Sequence, residues 1–242
     1  MKFVKRLLLI GSALNGKLSA FEFIKILYSS RINCAALVVG WNLALNCLVL
    51  ISSFIIYNGY SMYKNAIKEV SLEKKVSNIQ NDVNFVSIGD VPKYYQDAII
   101  AVEDHRFKEH GAIDIISIGR AIVSNLQAKE LNEGGSTITQ QVAKNLYFIS
   151  EKNFVYRKVA EIILSFDLEN NYSKDEILEL YFNTIYFGEG YYGIKEASKG
   201  YYEKEPKDLS LYEATLLAGV PNAPSVYAPT INPDLAKSRQ GK

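Results

Sequence analysis

The sequence predicts a mainly α protein preceded by one membrane-spanning helix. Three observations carry this. Residues 32–63 contain no Lys, Arg, Asp or Glu. Beyond them, helix-start signals recur along the chain. No run of strand, turn and strand is visible, and no internal repeat. The 242 residues are 48% apolar and 22% charged, which excludes a collagen-like or largely disordered chain. A net charge of +1 provides no basic field, so no nucleic-acid partner is expected. Cys34 and Cys47 both fall in or beside the apolar stretch, which leaves the rest of the chain without a disulfide.

The elements follow in order. Residues 1–31 form a basic arm, with Lys2, Lys5, Arg6, Lys17, Lys25 and Arg31 against the single acid Glu22. This arm fits an amphipathic helix on the inner leaflet or a weakly ordered tail. Residues 32–63 exceed the ~20 apolar residues that cross a bilayer, and too long an arm precedes them for a cleaved leader. The charge asymmetry puts the N-terminus in the cytoplasm and the rest outside, as a single-pass protein. Residues 64–82 read as a polar stalk and 83–242 as one domain. Residues 83–88 alternate as a strand or an extended lead-in. Asp90 and Pro92 read as a cap opening a helix over 93–102. Asp114 opens another, with Ile115, Ile118, Ile122 and Leu126 at helical spacing. Thr137-x-x-Gln140, Ser173-x-x-Glu176 and Ser210-x-x-Glu213 match the capping box. Residues 154–168 are periodic and unbroken.

Three segments carry chemistry. Glu103-Asp104 follows the apolar run at 98–101. A carboxyl group in a partly apolar cleft has its pKa raised, which suits general acid–base work. A solvated helix end reads equally well. Residues 133–141, Glu-Gly-Gly-Ser-Thr-Ile-Thr-Gln-Gln, offer a close-approach loop and a helix N-terminus for a phosphate or sugar, or an ordinary capped loop. Arg157-Lys158-x-x-Glu161 puts Arg157 and Glu161 on one helix face, as a basic cluster or a surface ion pair.

Taken together, in this order and spacing, the segments resemble the peptidoglycan glycosyltransferases, glycosyltransferase family 51. Glu103, Asp104, Phe107 and His110 match the first family motif, with Ala112 where a glycine is expected. Residues 134–141 match the second in full, and 157–161 the third. Residues 174–188 look like the fourth and 216–225 like the fifth. The resemblance implies a lysozyme-like fold with a smaller membrane-proximal lobe. It also implies polymerisation of lipid II into β-1,4-linked glycan by an inverting reaction that releases undecaprenyl pyrophosphate. By analogy Glu103 is the general base, with Glu161 as second catalytic acid orienting the bases or a metal. Asp104, Phe107, His110, Gly135, Ser136, Thr137, Gln140, Gln141, Lys144, Arg157 and Lys158 are the substrate-binding candidates. Lys144, Arg157 and Lys158 would meet the pyrophosphate. No metal box is visible and no cofactor is required, although members of the family are helped by Mg²⁺ or Mn²⁺. The implied partners are lipid II, the lipid-linked glycan chain, the membrane and other cell-wall synthesis proteins.

Other readings are set aside on context. Gly188-x-Gly190-x-x-Gly193 lacks the strand and acid of a dinucleotide site. Ser61-x-x-Lys64 is followed by no Lys-Thr-Gly in these residues. His105 and His110 lack completing ligands. Residues 146–149 fit either the membrane interface or the core. The aromatics Tyr181, Phe182, Tyr186, Phe187, Tyr191 and Tyr192 fit the core better. A lysozyme-like glycan hydrolase and a non-catalytic cell-wall scaffold are the alternative functions.

Overall fold

A computed structural model describes residues 34–128 and 135–240. The arm 1–31, with its inner-leaflet reading, and Glu133-Gly134 of the glycine loop lie outside these residues. Contacts divide the chain into residues up to Phe54 and Ile55–Lys242.

In the first unit the described part is the apolar start of helix α1, Cys34–Glu69. Trp41, Leu43, Leu48 and Leu50 are each exposed by more than half. The stretch Val39–Glu69 is long and apolar enough to cross a membrane.

The second unit is helical, with no strand among its described residues; Tyr186 and Tyr192 form a lone bridge. Its helices are α2 Leu72–Gln80, α3 Lys93–Glu103, α4 Ile115–Ala128, α5 Ile138–Ala143, α6 Phe154–Asn171 and α7 Lys174–Thr184. Then come α8 Gly193–Tyr202, α9 Leu211–Gly219, α10 Pro224–Tyr227 and α11 Pro233–Gln240. A wider-wound turn, Lys144–Phe148, continues α5. One core runs through α3, α5, α6, α7 and α9, with Tyr95, Ile138, Leu164, Tyr181, Phe182 and Leu217 buried in it.

Several local expectations change. The segment read as a stalk is helical to Glu69 and again over Leu72–Gln80, and Leu72 and Val76 are buried in the core. Residues 83–87 form no strand; they run irregularly into a short turn, Ile88–Asp90, and the Asn183 side chain satisfies both polar groups of the Val86 backbone. Pro92 itself stands at the N-cap of α3, and Asp90 makes no cap. Asp114 does cap α4 through the N–H groups of Ile116 and Ser117. Yet Ile115 and Ile122, two members of the periodic stripe of α4, are mostly exposed. Ser173–Glu176 and Ser210–Glu213 are full capping boxes. Thr137 makes only half of one: its hydroxyl accepts from the Gln140 N–H, while the Gln140 side chain donates to the Ala112 carbonyl. Leu146 and Phe148 are core while Ile149 is exposed. The three glycines of 188–193 all have positive φ and shape the tight loop between Tyr186 and Tyr192. Gly59 lets α1 approach α6, since a Cβ there would lie 2.4 Å from Val159 Cβ.

Candidate active site

Tyr95, Ile99 and Glu103 recur every four residues and share one face of α3. The first two are fully buried, so the helix is anchored in the core and delivers Glu103 to a cleft of about 790 Å³. Gln141 Nε2 donates to Glu103 Oε2 at 2.8 Å. Glu103 Oε1 is buried with no partner among the described residues. Burial pushes the Glu103 carboxyl above the usual carboxylate range. The Gln141 hydrogen bond and the Arg239 charge oppose the rise, and the Asp104 charge adds to it.

Asp104 ends α3 and is almost wholly buried. Its Oδ1 meets His110 Nε2 at 2.8 Å, and its Oδ2 accepts from the Ile138 N–H at 3.0 Å. His110 Nδ1 lies 2.7 Å from the Gly111 carbonyl. Asp104 and His110 therefore hold the loop together rather than reach toward a ligand. Phe107 is fully buried beneath the Lys174 ammonium, 4.4 Å from its ring centre. Phe107 and His110, expected to bind substrate, do not line the cleft. The departure at Ala112 is accommodated: it has no positive φ, and what the site uses is its carbonyl, which accepts from Thr137 Oγ1 at 3.2 Å and Gln140 Nε2 at 3.0 Å.

Gly135, Ser136, Thr137, Gln140 and Gln141, around the start of α5, and Lys144, just past its end, line the cleft. Thr137 and Gln140 do so with buried side chains committed to the Ala112 carbonyl, so they shape the wall. Lys144 makes no ion pair among the described residues. Helix α6 contributes Arg157, Lys158 and Glu161. Glu161 is buried, with Arg157 Nε and Lys158 Nζ each 3.2 Å from one of its oxygens. The Arg157 contact is close in distance but lacks hydrogen-bond alignment, which leaves that N–H unspent. Lys158 Nζ also donates to Ser136 Oγ at 2.7 Å, which links α6 to the glycine loop. Glu161 thus holds two cations in place.

Some lining residues lie outside the motifs, Arg120 and Arg239 among them, and His105 and Asn222 lie within motif segments without being singled out there. Arg120 Nη1 and His105 Nε2 are 3.2 Å apart. Arg239 enters from α11. Ala236 is the buried residue of that helix, and Gln240 fastens it to α9 through the Tyr212 carbonyl and Thr215 Oγ1. A Cβ at Gly219 would stand 3.0 Å from Arg239 Cγ, so a glycine makes room for it.

Among the described residues, the buried acids around the cleft other than Glu103 are already engaged. Both Glu161 oxygens face cations. Asp104, His110 and Asp114 bring ligand atoms within 4.8 Å of one another. Their atoms are already engaged by each other, by backbone groups and by Ser117.

The profile of the transglycosylase family matches residues 71–242, well over half of the chain. Penicillin-binding protein 1F of Bacillus subtilis is 50% identical over 155 residues, covering 64% of this chain and 22% of that protein. Penicillin-binding protein 1A of Neisseria lactamica and that of Neisseria gonorrhoeae are each 49% identical over 156 residues, covering 64% of this chain and 19% of theirs. The chain matches about a fifth of the length of these relatives. Fold and cleft together define a lysozyme-like peptidoglycan glycosyltransferase domain. The chain belongs to the transglycosylase family.

Proposed function

We propose that the protein is a membrane-anchored enzyme that polymerises lipid II into β-1,4-linked glycan, with Glu103 as general base. One observation carries the reading. Of the four described carboxylates that line the cleft, Asp104, Asp114 and Glu161 are committed to partners at both oxygens, and among them Glu103 alone keeps one oxygen without a partner. The two carboxylate oxygens exchange by rotation about the terminal bond, which is a soft torsion.

Glu103 takes the proton from the 4-hydroxyl of the acceptor sugar, and that oxygen attacks C1 of the lipid-linked donor with inversion. The bond from C1 to the pyrophosphate oxygen breaks, and undecaprenyl pyrophosphate leaves. Lys144, Arg157 and Lys158 face the charge that develops there, in a cleft where fixed cations need no reorganisation. Arg239 offsets part of the cost of ionising Glu103 in a buried place. In this reading the basic side chains of the cleft supply the counter-charge.

The substrates carry long isoprenoids, which fits an anchored enzyme. The span Val39–Glu69 covers ~46 Å at 1.5 Å per residue, enough for the hydrocarbon core. The basic arm puts the N-terminus inside and the catalytic domain outside. Ile115, Ile116, Ile122 and Val123 give α4 an exposed apolar face suited to acyl chains.

Hydrolysis by paired carboxylates is disfavoured, because it needs a second uncommitted acid beside Glu103. The test is purified full-length chain in detergent with labelled lipid II. Polymer that a muramidase then digests supports the proposal. No polymer, with cleavage of preformed glycan instead, supports a hydrolase; neither activity supports a scaffold.

A further inference from the structure

A second cavity, of about 580 Å³, shares no lining residue with the cleft. It lies between the end of α1, the start of α2, the turn Lys144–Phe148 and the loop that follows the turn. Its walls are tied together. Tyr147 Oη donates to the Val70 carbonyl at 2.8 Å, and Lys75 Nζ stands 5.4 Å from the Tyr147 ring centre. Tyr63 Oη donates to the Asp167 carboxylate and so fastens the end of α1 to α6. Arg157 Nη1 donates to the Glu151 carbonyl at 3.1 Å, so the loop beside this cavity also steadies a cation of the cleft.

Two charges that line the cavity are unspent. Lys75 and Glu151 are half-buried, and neither forms an ion pair among the described residues. Charge withdrawn from water without a partner is costly, and here one of each sign is presented. The exposed Glu69 adds a second anion, and Ser61 and Ser150 add hydroxyls. The surroundings point to a bilayer surface. The apolar run of α1 ends at Ile56-Tyr57, and Tyr57 and Tyr60 are exposed there, the placing of an aromatic belt at a membrane–water boundary. Ile149 and Val155, next in sequence to the lining residues Ser150 and Tyr156, are exposed apolar side chains. An occupant that satisfies all of this carries an anion and a cation on one polar head and reaches it from an apolar phase.

We propose that the cavity binds the headgroup of a membrane phospholipid, and that this headgroup is phosphoethanolamine. Lys75 takes the phosphodiester. Glu151 and Glu69 take the primary ammonium, whose three N–H donors also suit the hydroxyls. A purely anionic headgroup would face two glutamates, and a choline headgroup has no N–H to donate. The proposal rests on the membrane-anchored reading of the chain and not on the chemistry at Glu103.

The test uses the full chain in mild detergent, stripped of lipid and titrated with dioctanoyl phosphatidylethanolamine, with bound lipid counted by native mass spectrometry. The phosphatidylglycerol and phosphatidylcholine of the same chain length, glycerophosphoethanolamine and inorganic phosphate are the comparisons. One ethanolamine lipid per chain is expected, bound about tenfold more tightly than either other lipid. Lys75→Gln and Glu151→Gln should each weaken it by about tenfold, while Lys152→Gln, exposed and outside the lining, should not. Glu151→Lys should turn the preference toward phosphatidylglycerol, a gain that misfolding does not produce. Equal binding of the three lipids, or binding unchanged in the Lys75 and Glu151 variants, would overturn the proposal. So would glycerophosphoethanolamine or phosphate binding as tightly as the lipid, which would make the ligand a soluble one. None of these readouts needs lipid II. A chain that makes no polymer therefore defeats the polymerase reading alone, and a polymerising chain with indiscriminate lipid binding defeats this site alone.

Discussion

Asp104 accepts a hydrogen bond from the Ile138 backbone N–H at 3.0 Å and so joins two stretches 34 residues apart. Its other oxygen holds His110. The residue next to the base thereby locks the first motif onto the first turn of α5, two residues ahead of Gln140 and three ahead of Gln141. The Gln141 contact to Glu103 depends on that lock. Adjacent acids in sequence have separate duties: one is available for chemistry, the other is spent on register.

His110→Ala is expected to leave Asp104 buried with one bond lost, at a cost of ~1–3 kcal/mol. Polymerisation should fall with it as α5 shifts against Glu103. Urea unfolding and the polymerisation rate together check this. Unchanged stability would mean that the pair does not hold the loop.

Glu103→Gln is expected to stabilise the protein at neutral pH while removing activity. A carboxyl whose folded pKa is raised binds its proton more tightly when folded, so stability is lost as pH rises from the unfolded value through the folded one. Glutamine carries no such penalty. The melting midpoint should rise by about 2–4 °C near neutrality, and the gain should vanish at acid pH, where both forms are neutral. Calorimetry at two pH values measures it.

Glu161→Gln removes the anion between Arg157 and Lys158. These cations keep some solvent contact, so the loss of stability is expected to be about 1–2 kcal/mol rather than the full cost of a buried pair. Polymerisation should fall further than Lys158→Ala alone makes it fall, because two cations lose their anchor. Rates for the two variants and their double mutant separate a holding role from a direct one.

How much of this was legible beforehand follows from the kind of interaction. Capping at Ser173 and Ser210 is local, so spacing revealed it. At Thr137 only half of the box forms, and the Gln140 side chain donates instead to the Ala112 carbonyl, a partner 28 residues away that local spacing does not show. The structure brings the motif residues Glu103, Gln141, Lys144, Arg157 and Lys158 to one cleft. Phe107 and His110, from the same motifs, are packed away from it. A motif records that a residue type is needed, not whether it meets ligand or protein. Arg239 gave no local signal, since its role depends on α11 folding back over Gly219. Ile115 and Ile122 of α4 have the right period yet are exposed, and periodicity alone does not distinguish a core from a lipid surface.

Gly59→Val is expected to destabilise the second unit by about 1–3 kcal/mol through overpacking. The added side chain would meet Val159 and the Tyr156 carbonyl. Gly40→Val, at an open position of the same helix, should be close to neutral. Thermal midpoints of the two variants check it.

Polymerisation is expected to persist in EDTA, within about threefold of the untreated rate, because the counter-charge comes from fixed cations. Abolition by EDTA, with recovery on adding Mg²⁺ or Mn²⁺, would return the metal to the mechanism.

The central claim is that Glu103 removes the acceptor proton. Its most direct test is the initial rate of lipid II polymerisation by the folded full chain and by Glu103→Gln, side by side from pH 5 to 9. The expected result is a fall of about 10²- to 10⁴-fold in the variant, together with loss of the acid limb that the wild type shows above the usual carboxylate range. A variant that polymerises at the wild-type rate, or keeps the same limb, would contradict it.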